Sequence, residues 1–268
     1  MPHSPLLVPE IGRANYDFLA KTTTAYEQIG EKLKSSGVDT IIIISPHGLT
    51  QDESFTINIA PEMAIDFKDF GFIPPKTILS GDAYLADQIK TALKPEFSLQ
   101  LISENILDHG SAIPLYLLKK YLPNAKILIV LPANELSLEQ QFDFGRKLEE
   151  VIIRSDKNIA LIASGDLSHR LKKKSPGGYS PKGAKFDNKL IEYLSDATTA
   201  SENIIKMDAK LIKDAGECGL KPIVIALGVL NNSDWQPEIL AYQTDFGIGY
   251  LSLDFNLKTD GQKAEPTI

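Results

Sequence analysis

Apolar residues fall into two kinds of run along this chain. Three runs are short and unbroken: DTIIIIS over 39–45, AKILIVL over 125–131 and NIALIAS over 158–164. Such runs, rich in β-branched side chains, read as strands buried on both faces, the interior of a largely parallel sheet. A fourth, SFTINIA over 54–60, alternates more and predicts an edge or antiparallel strand. Between them, apolar positions recur at helical spacing over 14–36, 81–94, 111–122, 137–154, 183–196, 201–213 and 220–230. Ser137 and Gln140 have the form of a capping box and mark one helix start. After Trp235, EILAYQTDFGIGYLSLDF predicts two strands joined or kinked near Gly247 and Gly249. No repeat or linker divides the chain. The pattern predicts α/β: one domain over 1–256, three layers α/β/α, with helices on both faces of a central mixed, largely parallel sheet. Residues 257–268 read as a flexible C-terminal tail.

Composition narrows the functional classes. The 268 residues are 43% hydrophobic and 24% charged, enough for a substantial core. No apolar run approaches the ~18–20 residues needed to span a bilayer. The N-terminal MPHSPLLVPEIG lacks the basic start and long apolar stretch of a secretory signal. A single cysteine, Cys218, excludes an internal disulfide and suits a reducing compartment, so a cytoplasmic protein is expected. A net charge of −7 argues against nucleic acid or an anionic membrane as the main partner. Nucleotide-binding glycine motifs and a GxSxG elbow are both missing, which sets aside a doubly wound nucleotide-binding domain and a serine nucleophile.

The four histidines carry the candidate chemistry. His47 (SPHG) and His169 (SGDLSH) each follow a predicted core strand, where open α/β sheets bind ligands. His109 (LDHGSAIPL) precedes a helix, and His3 lies in PHSPLLVP. A lone histidine is usually a surface or hydrogen-bonded structural residue. A convergent set is a candidate metal or proton-transfer site, because imidazole titrates near neutrality and ligates divalent metals. No compact HExxH signature is present, so the donors must come from scattered segments. For a third donor, DAGECGLKPIVIALGVL offers Glu217 and Cys218 side by side. Two histidines with a carboxylate suit Fe(II), and two histidines with a thiolate suit Zn(II). Both residues also have ordinary roles, Glu217 as a charge at a helix N-terminus and Cys218 as a small buried hydrophobe.

Five motifs, HSPLLVPEIG, SPHG, DHGSAIPL, SGDLSH and ECGLKPI, occur in this order. Together they resemble the B-subunit superfamily of class III extradiol ring-cleavage dioxygenases, which also contains the Memo-type proteins. The likeness runs from residue 3 to about 250. It implies that His3 and His47 ligate Fe(II). His169 then matches the catalytic acid–base, and His109 a second active-site histidine that contacts substrate or oxygen. The third ligand of the dioxygenases is a glutamate on the segment matching ECGLKPI. Counted back from Pro222, Cys218 falls in that slot, and Memo-type proteins carry cysteine there. Glu217 lies one residue earlier and is the expected ligand because a carboxylate suits iron; Cys218 is the alternative. The implied activity is Fe(II)-dependent extradiol cleavage of a catechol-like aromatic diol with O2, in a homo-oligomer. The alternatives are a Memo-type metal-binding or partner-binding protein without dioxygenase activity, and a zinc-dependent hydrolase on the same scaffold, with Zn(II) or copper as the metal. The basic, glycine-containing stretch RLKKKSPGGYSP after His169 predicts a mobile loop beside the site.

Overall fold

The four consecutive isoleucines, Ile41, Ile42, Ile43 and Ile44, are each 2% exposed or less, so both faces of their strand are covered. The computed structural model describes residues 1–258. Its strands are β1 (Thr40–Ile44), β2 (Phe55–Asn58), β3 (Glu62–Ala64), β4 (Ile78–Ser80), β5 (Leu99–Ile102), β6 (Lys126–Leu131), β7 (Ile159–Ala163), β8 (Trp235–Gln243) and β9 (Tyr250–Leu257). Its helices are α1 (Pro9–Gly12), α2 (Ala20–Ser35), α3 (Ala83–Leu93), α4 (His109–Leu118), α5 (Leu138–Arg154), α6 (Pro181–Leu194), α7 (Ala200–Ile205), α8 (Ala209–Ala215) and α9 (Leu220–Val229).

Five strands form the central sheet in the order β5-β2-β6-β1-β7. β1 pairs in parallel with β6 and β7, Thr40 lying opposite both Lys126 and Ile159. β2 runs antiparallel to β6 and parallel to β5. The sheet is therefore mixed and largely parallel. The two-residue period of a strand divides its side chains between two cores. Ile41, Ile43, Ile127 and Ile129 pack with Tyr26 and Ile29 of α2 and Ile113 and Leu118 of α4. Ile42, Ile44, Leu128 and Val130 pack with α3, α5 and α9 through Leu85, Phe144 and Ile225. A third apolar cluster gathers α6, α7 and α8 around Leu220 and Val224 of α9, with Trp235 and Leu251. Because β1 and β7 are parallel and in register, both chains leave the sheet at the same edge. The segments carrying His47 and His169 start there.

The strands read from continuous apolar runs fall within one residue of their expected ends. The run over 54–60 is antiparallel as read, yet β5 covers its outer side, so it is not an edge. β3, β4 and β5 span three or four residues and are partly exposed, too short and too mixed for a periodic signal. The expected helix over 14–36 begins as a 3-10 helix, Arg13–Leu19, and becomes α-helical only at Ala20. The Thr22 N–H is capped from far away by Gln243 Oε1 at 2.8 Å, an acceptor that local sequence does not reveal. The helix expected over 201–213 is two, because Asp208 caps α8 by accepting from Leu211 N at 2.8 Å. The capping box of α5 is formed, with Gln140 N donating to Ser137 Oγ (3.2 Å) and Ser137 N to Gln140 Oε1 (2.9 Å). The expected tail lies, from residue 259 on, outside the described residues. Among the described residues no helix is long and apolar enough to cross a membrane.

α5 and α9 meet backbone to backbone. A Cβ on Gly145 would lie 2.1 Å from the Ile225 carbonyl oxygen and 2.9 Å from Gly228 Cα. Gly145→Ala is expected to lower stability by about 1–3 kcal/mol through overpacking. Urea unfolding checks this, and an unchanged midpoint contradicts the close approach.

Candidate metal centre

Three chain segments converge beyond the carboxyl ends of β1 and β7. The first is the N-terminal stretch. Met1 N donates to Ala163 O at 2.7 Å, and Gly165 N donates back to Met1 O at 3.0 Å. His3 N donates to Asp166 Oδ1 at 3.1 Å, and Tyr26 OH donates to Pro2 O. Fully buried Leu7 and Val8 anchor the following turn. The second segment is 217–219. A Cβ on Gly165 would lie 2.2 Å from Gly219 Cα, so the two backbones touch only because residue 165 is glycine. Cys218 N and Gly219 N both donate to Asp166 O (3.2 and 2.9 Å), and Asp166 N donates to Cys218 Sγ at 3.3 Å. The third segment leaves β1. Ser45 Oγ donates to Asp108 Oδ1 at 2.6 Å, and the same oxygen caps α4 by accepting from Ser111 N at 3.0 Å. This bond sets His109, the first residue of α4, against His47.

The side chains then meet at short range. His3 Nε2 lies 3.2 Å from His47 Nε2 and 3.5 Å from Cys218 Sγ. Cys218 Sγ is 3.9 Å from His169 Nε2. Asp166 Oδ2 lies 3.9 Å from His3 Nε2 and 4.0 Å from His169 Nε2. The His47 and His109 rings stack at 4.3 Å, and His3 meets His109 edge-on at 5.2 Å. Ligand nitrogens of His3, His47 and His109 all fall within 4.8 Å of one another, a group able to hold a metal ion. All four histidines and Cys218 thus come together. Glu217 is engaged differently: its Oε2 accepts from Leu220 N at 2.7 Å and caps α9. Among the described residues no hydrogen bond or ion pair joins Glu217 to a histidine.

The two donor pairs centred on His3 pass a simple test of fit. Nitrogens bound tetrahedrally at about 2.0–2.1 Å lie about 3.3 Å apart, and a nitrogen and a thiolate sulfur about 3.5 Å apart. The separations from His3 Nε2, 3.2 Å to His47 Nε2 and 3.5 Å to Cys218 Sγ, match these values.

The electrostatics point the same way. Burial holds the His3 pKa well below 6.5, helped by the neighbouring histidines. Burial, then His109, takes His47 down to about 4. His109 and His169 are lowered as well, burial being the main cause. The imidazoles are therefore neutral near pH 7, with lone pairs available. Burial pushes Asp166 up to about 7 and Glu217 up to about 7. It also raises the Cys218 thiol, with Asp166 adding to the shift. Without a cation the pocket disfavours both signs of charge; a bound cation reverses this and displaces the acid protons.

Sequence reasoning missed Asp166 and considered Ser164 only as a nucleophile, which it set aside, although both lie in the ASGDLSH stretch that brought His169 to notice. A carboxylate two residues past a core strand was the available signal. The stretch after His169, expected to be mobile, is tied down: Leu171 N (3.1 Å) and Ser175 Oγ (2.8 Å) donate to Gly247 O, and Gly177 N donates to His169 O (3.1 Å). Phe70 meets the His109 ring edge-on at 6.0 Å and adds an aromatic wall.

Comparison with known proteins adds four findings. The family model described as the catalytic LigB subunit of aromatic ring-opening dioxygenase matches residues 1–252. Protein CA_C1420 of Clostridium acetobutylicum is 33% identical over 260 residues, 93% of this chain and 55% of that protein, so the chain spans about half the length of this relative. The 3,4-dihydroxyphenylacetate 2,3-dioxygenase of Escherichia coli is 23% identical over 206 residues, 71% of this chain and 72% of that protein. Among solved structures, uncharacterized protein JW3007 from Escherichia coli K12 shares the fold, with a TM-score of 0.61 and 18% identity, covering 84% of this chain and 90% of that one.

His169 is held through its neighbour. Ser168 N donates to Asp187 Oδ1 at 2.9 Å, and Tyr242 OH donates to Asp187 Oδ2 at 2.7 Å. Burial raises Asp187 from 3.8 to about 6. The folded protein keeps this proton longer than the unfolded chain, so its contribution is complete below pH 3.8 and is lost as pH rises through 6. Asp187→Asn removes the titration. Its stability relative to the parent is expected to rise by about 2–3 kcal/mol between pH 4 and 7. Urea unfolding across that range checks this, and a pH-independent difference contradicts it.

Proposed function

The chain belongs to the family of the catalytic LigB subunit of aromatic ring-opening dioxygenase, and from that footing we propose that it uses one divalent metal ion, Fe(II), to open a small catechol-like diol with O2. Membership makes a metal-dependent dioxygenase-type enzyme the starting point; the metal, its ligands and the substrate are the proposal. His3 and His47 supply two donors. Cys218 supplies the third in preference to Glu217, whose carboxylate is occupied at the start of α9. The observation that carries this reading is the spacing of 3.2 Å between the two Nε2 atoms and 3.5 Å from His3 Nε2 to Cys218 Sγ.

When bound, the ion supplies Lewis acidity and a common meeting point for diol and O2. His169 removes a hydroxyl proton from the diol and later returns one. It suits that task because it is neutral, partly exposed and close to the donors. Asp166, buried between His3 and His169, takes up positive charge that develops on His169. His109 faces the same space and orients the substrate beside Phe70, whose ring offers an apolar wall.

The sulfur favours a second reading. Two imidazoles and a thiolate make a softer set than two imidazoles and a carboxylate, and suit Zn(II) or copper better than Fe(II). On that reading the scaffold binds zinc or copper without oxygen chemistry, as a hydrolase or as a Memo-type metal-binding or partner-binding protein.

Metal analysis of anaerobically purified protein, followed by oxygen uptake with a panel of catechols, separates the two. Iron with uptake is the expected result; zinc or copper without uptake overturns the first reading in favour of the second. His169→Ala is expected to keep the metal and lose about 10²–10⁴ in turnover; loss of metal would show that the residue is a ligand instead. Cys218→Ala should lose the metal while Glu217→Gln keeps it, and the reverse outcome returns the third position to Glu217.

A further inference from the structure

His3 is the most buried of the four histidines, at 2% exposure. Its Nδ1 lies 3.0 Å from Ser164 Oγ. Among the described residues no hydroxyl group hydrogen-bonds to the other three imidazoles. The same Ser164 Oγ lies 2.5 Å from the Gly110 carbonyl oxygen and donates to it. A carbonyl only accepts, so the single hydroxyl proton of Ser164 is committed to Gly110. Toward His3 the hydroxyl oxygen can then only accept, and the proton between them must sit on Nδ1. In a neutral imidazole this leaves Nε2 bare, and Nε2 is the atom that faces His47 and Cys218.

The sequence explains why Gly110 needs this donor. In α4 the carbonyl of Gly110 would normally accept from the residue four positions on, which is Pro114, inside the helix and without an N–H. The carbonyl is left free, and Ser164 fills it. Ser164 is itself fixed by the sheet: its N–H donates to Ile44 O at 2.9 Å, continuing the β1–β7 pairing. It is fully buried, so no water competes for its proton.

We propose that Ser164 is a positioning residue, which holds His3 in its Nδ1–H tautomer and presents the Nε2 lone pair to the metal ion. This rests on the metal reading above. It adds the device that selects one tautomer before any ion arrives, and it runs through a helix interrupted by Pro114. Partners of this kind orient a ligating histidine, and losing one typically lowers metal affinity 10–100-fold.

The test uses the full chain, metal-free and labelled with ¹⁵N. Long-range ¹H–¹⁵N correlation spectra report which ring nitrogen of His3 carries the proton. The expected wild-type result is Nδ1 protonated and Nε2 bare. In Ser164→Ala the spectrum should move to a mixture of tautomers, and Zn(II) affinity, read by competition with a chelating dye, should fall 10–100-fold. Ser164→Thr retains the hydroxyl and should restore both. A merely structural serine would change the melting temperature without changing the tautomer. Wild-type protein with the proton on Nε2 overturns the proposal, whether or not the alanine variant folds. So does an alanine variant with unchanged tautomer and affinity. Wild-type protein that shows the expected tautomer yet takes up no divalent ion overturns the metal reading instead.

Discussion

The candidate centre depends on one residue's main chain, that of Asp166, just past the end of β7. Its carbonyl accepts from Cys218 N and Gly219 N, its N–H donates to Cys218 Sγ, and its side chain accepts from His3 N. Segments more than 160 residues apart in the chain are thereby held within hydrogen-bond distance of a common point. The contact tolerates no side chain at Gly165, where a Cβ would run into Gly219 Cα. β1 contributes through the sheet, because its parallel register with β7 brings the His47 segment to the same edge. The donors thus sit on rigid elements, which is what a metal site with defined geometry requires.

Charge gives this geometry its chemical meaning. Four imidazoles are held neutral, and burial raises the pKa of Asp166, Glu217 and Cys218 alike. A pocket that disfavours protonated histidine and ionised acid is not a resting ion-pair network. It gains most from a cation that takes up the lone pairs and lets the acids ionise. Ser164 extends the same logic by fixing which His3 nitrogen is bare.

Much of the fold was legible because continuous apolar runs can be satisfied only in a covered sheet. The isoleucines of β1 and the matching runs of β6 and β7 carried that signal. β3, β4 and β5 were not legible: short, partly exposed strands are stabilised by pairing, which local sequence does not encode. The break between α7 and α8 was written in Asp208 but masked by apolar periodicity on both sides. At the site, the strand-end positions of His47 and His169 pointed correctly to one sheet edge. The roles of Glu217 and Cys218 could not be separated from spacing, because adjacent residues before a helix point in different directions. Only three dimensions show one capping α9 and the other facing His3. Ser164 needed more still, since its role follows from a carbonyl freed by Pro114 on another element.

The central claim is that two imidazoles and one sulfur share a single ion. X-ray absorption at the metal edge of the loaded protein tests this directly, because sulfur and nitrogen scatter distinguishably and at different distances. The account predicts one sulfur at about 2.3 Å together with nitrogen neighbours at about 2.0–2.1 Å. A shell of nitrogen and oxygen alone would contradict it.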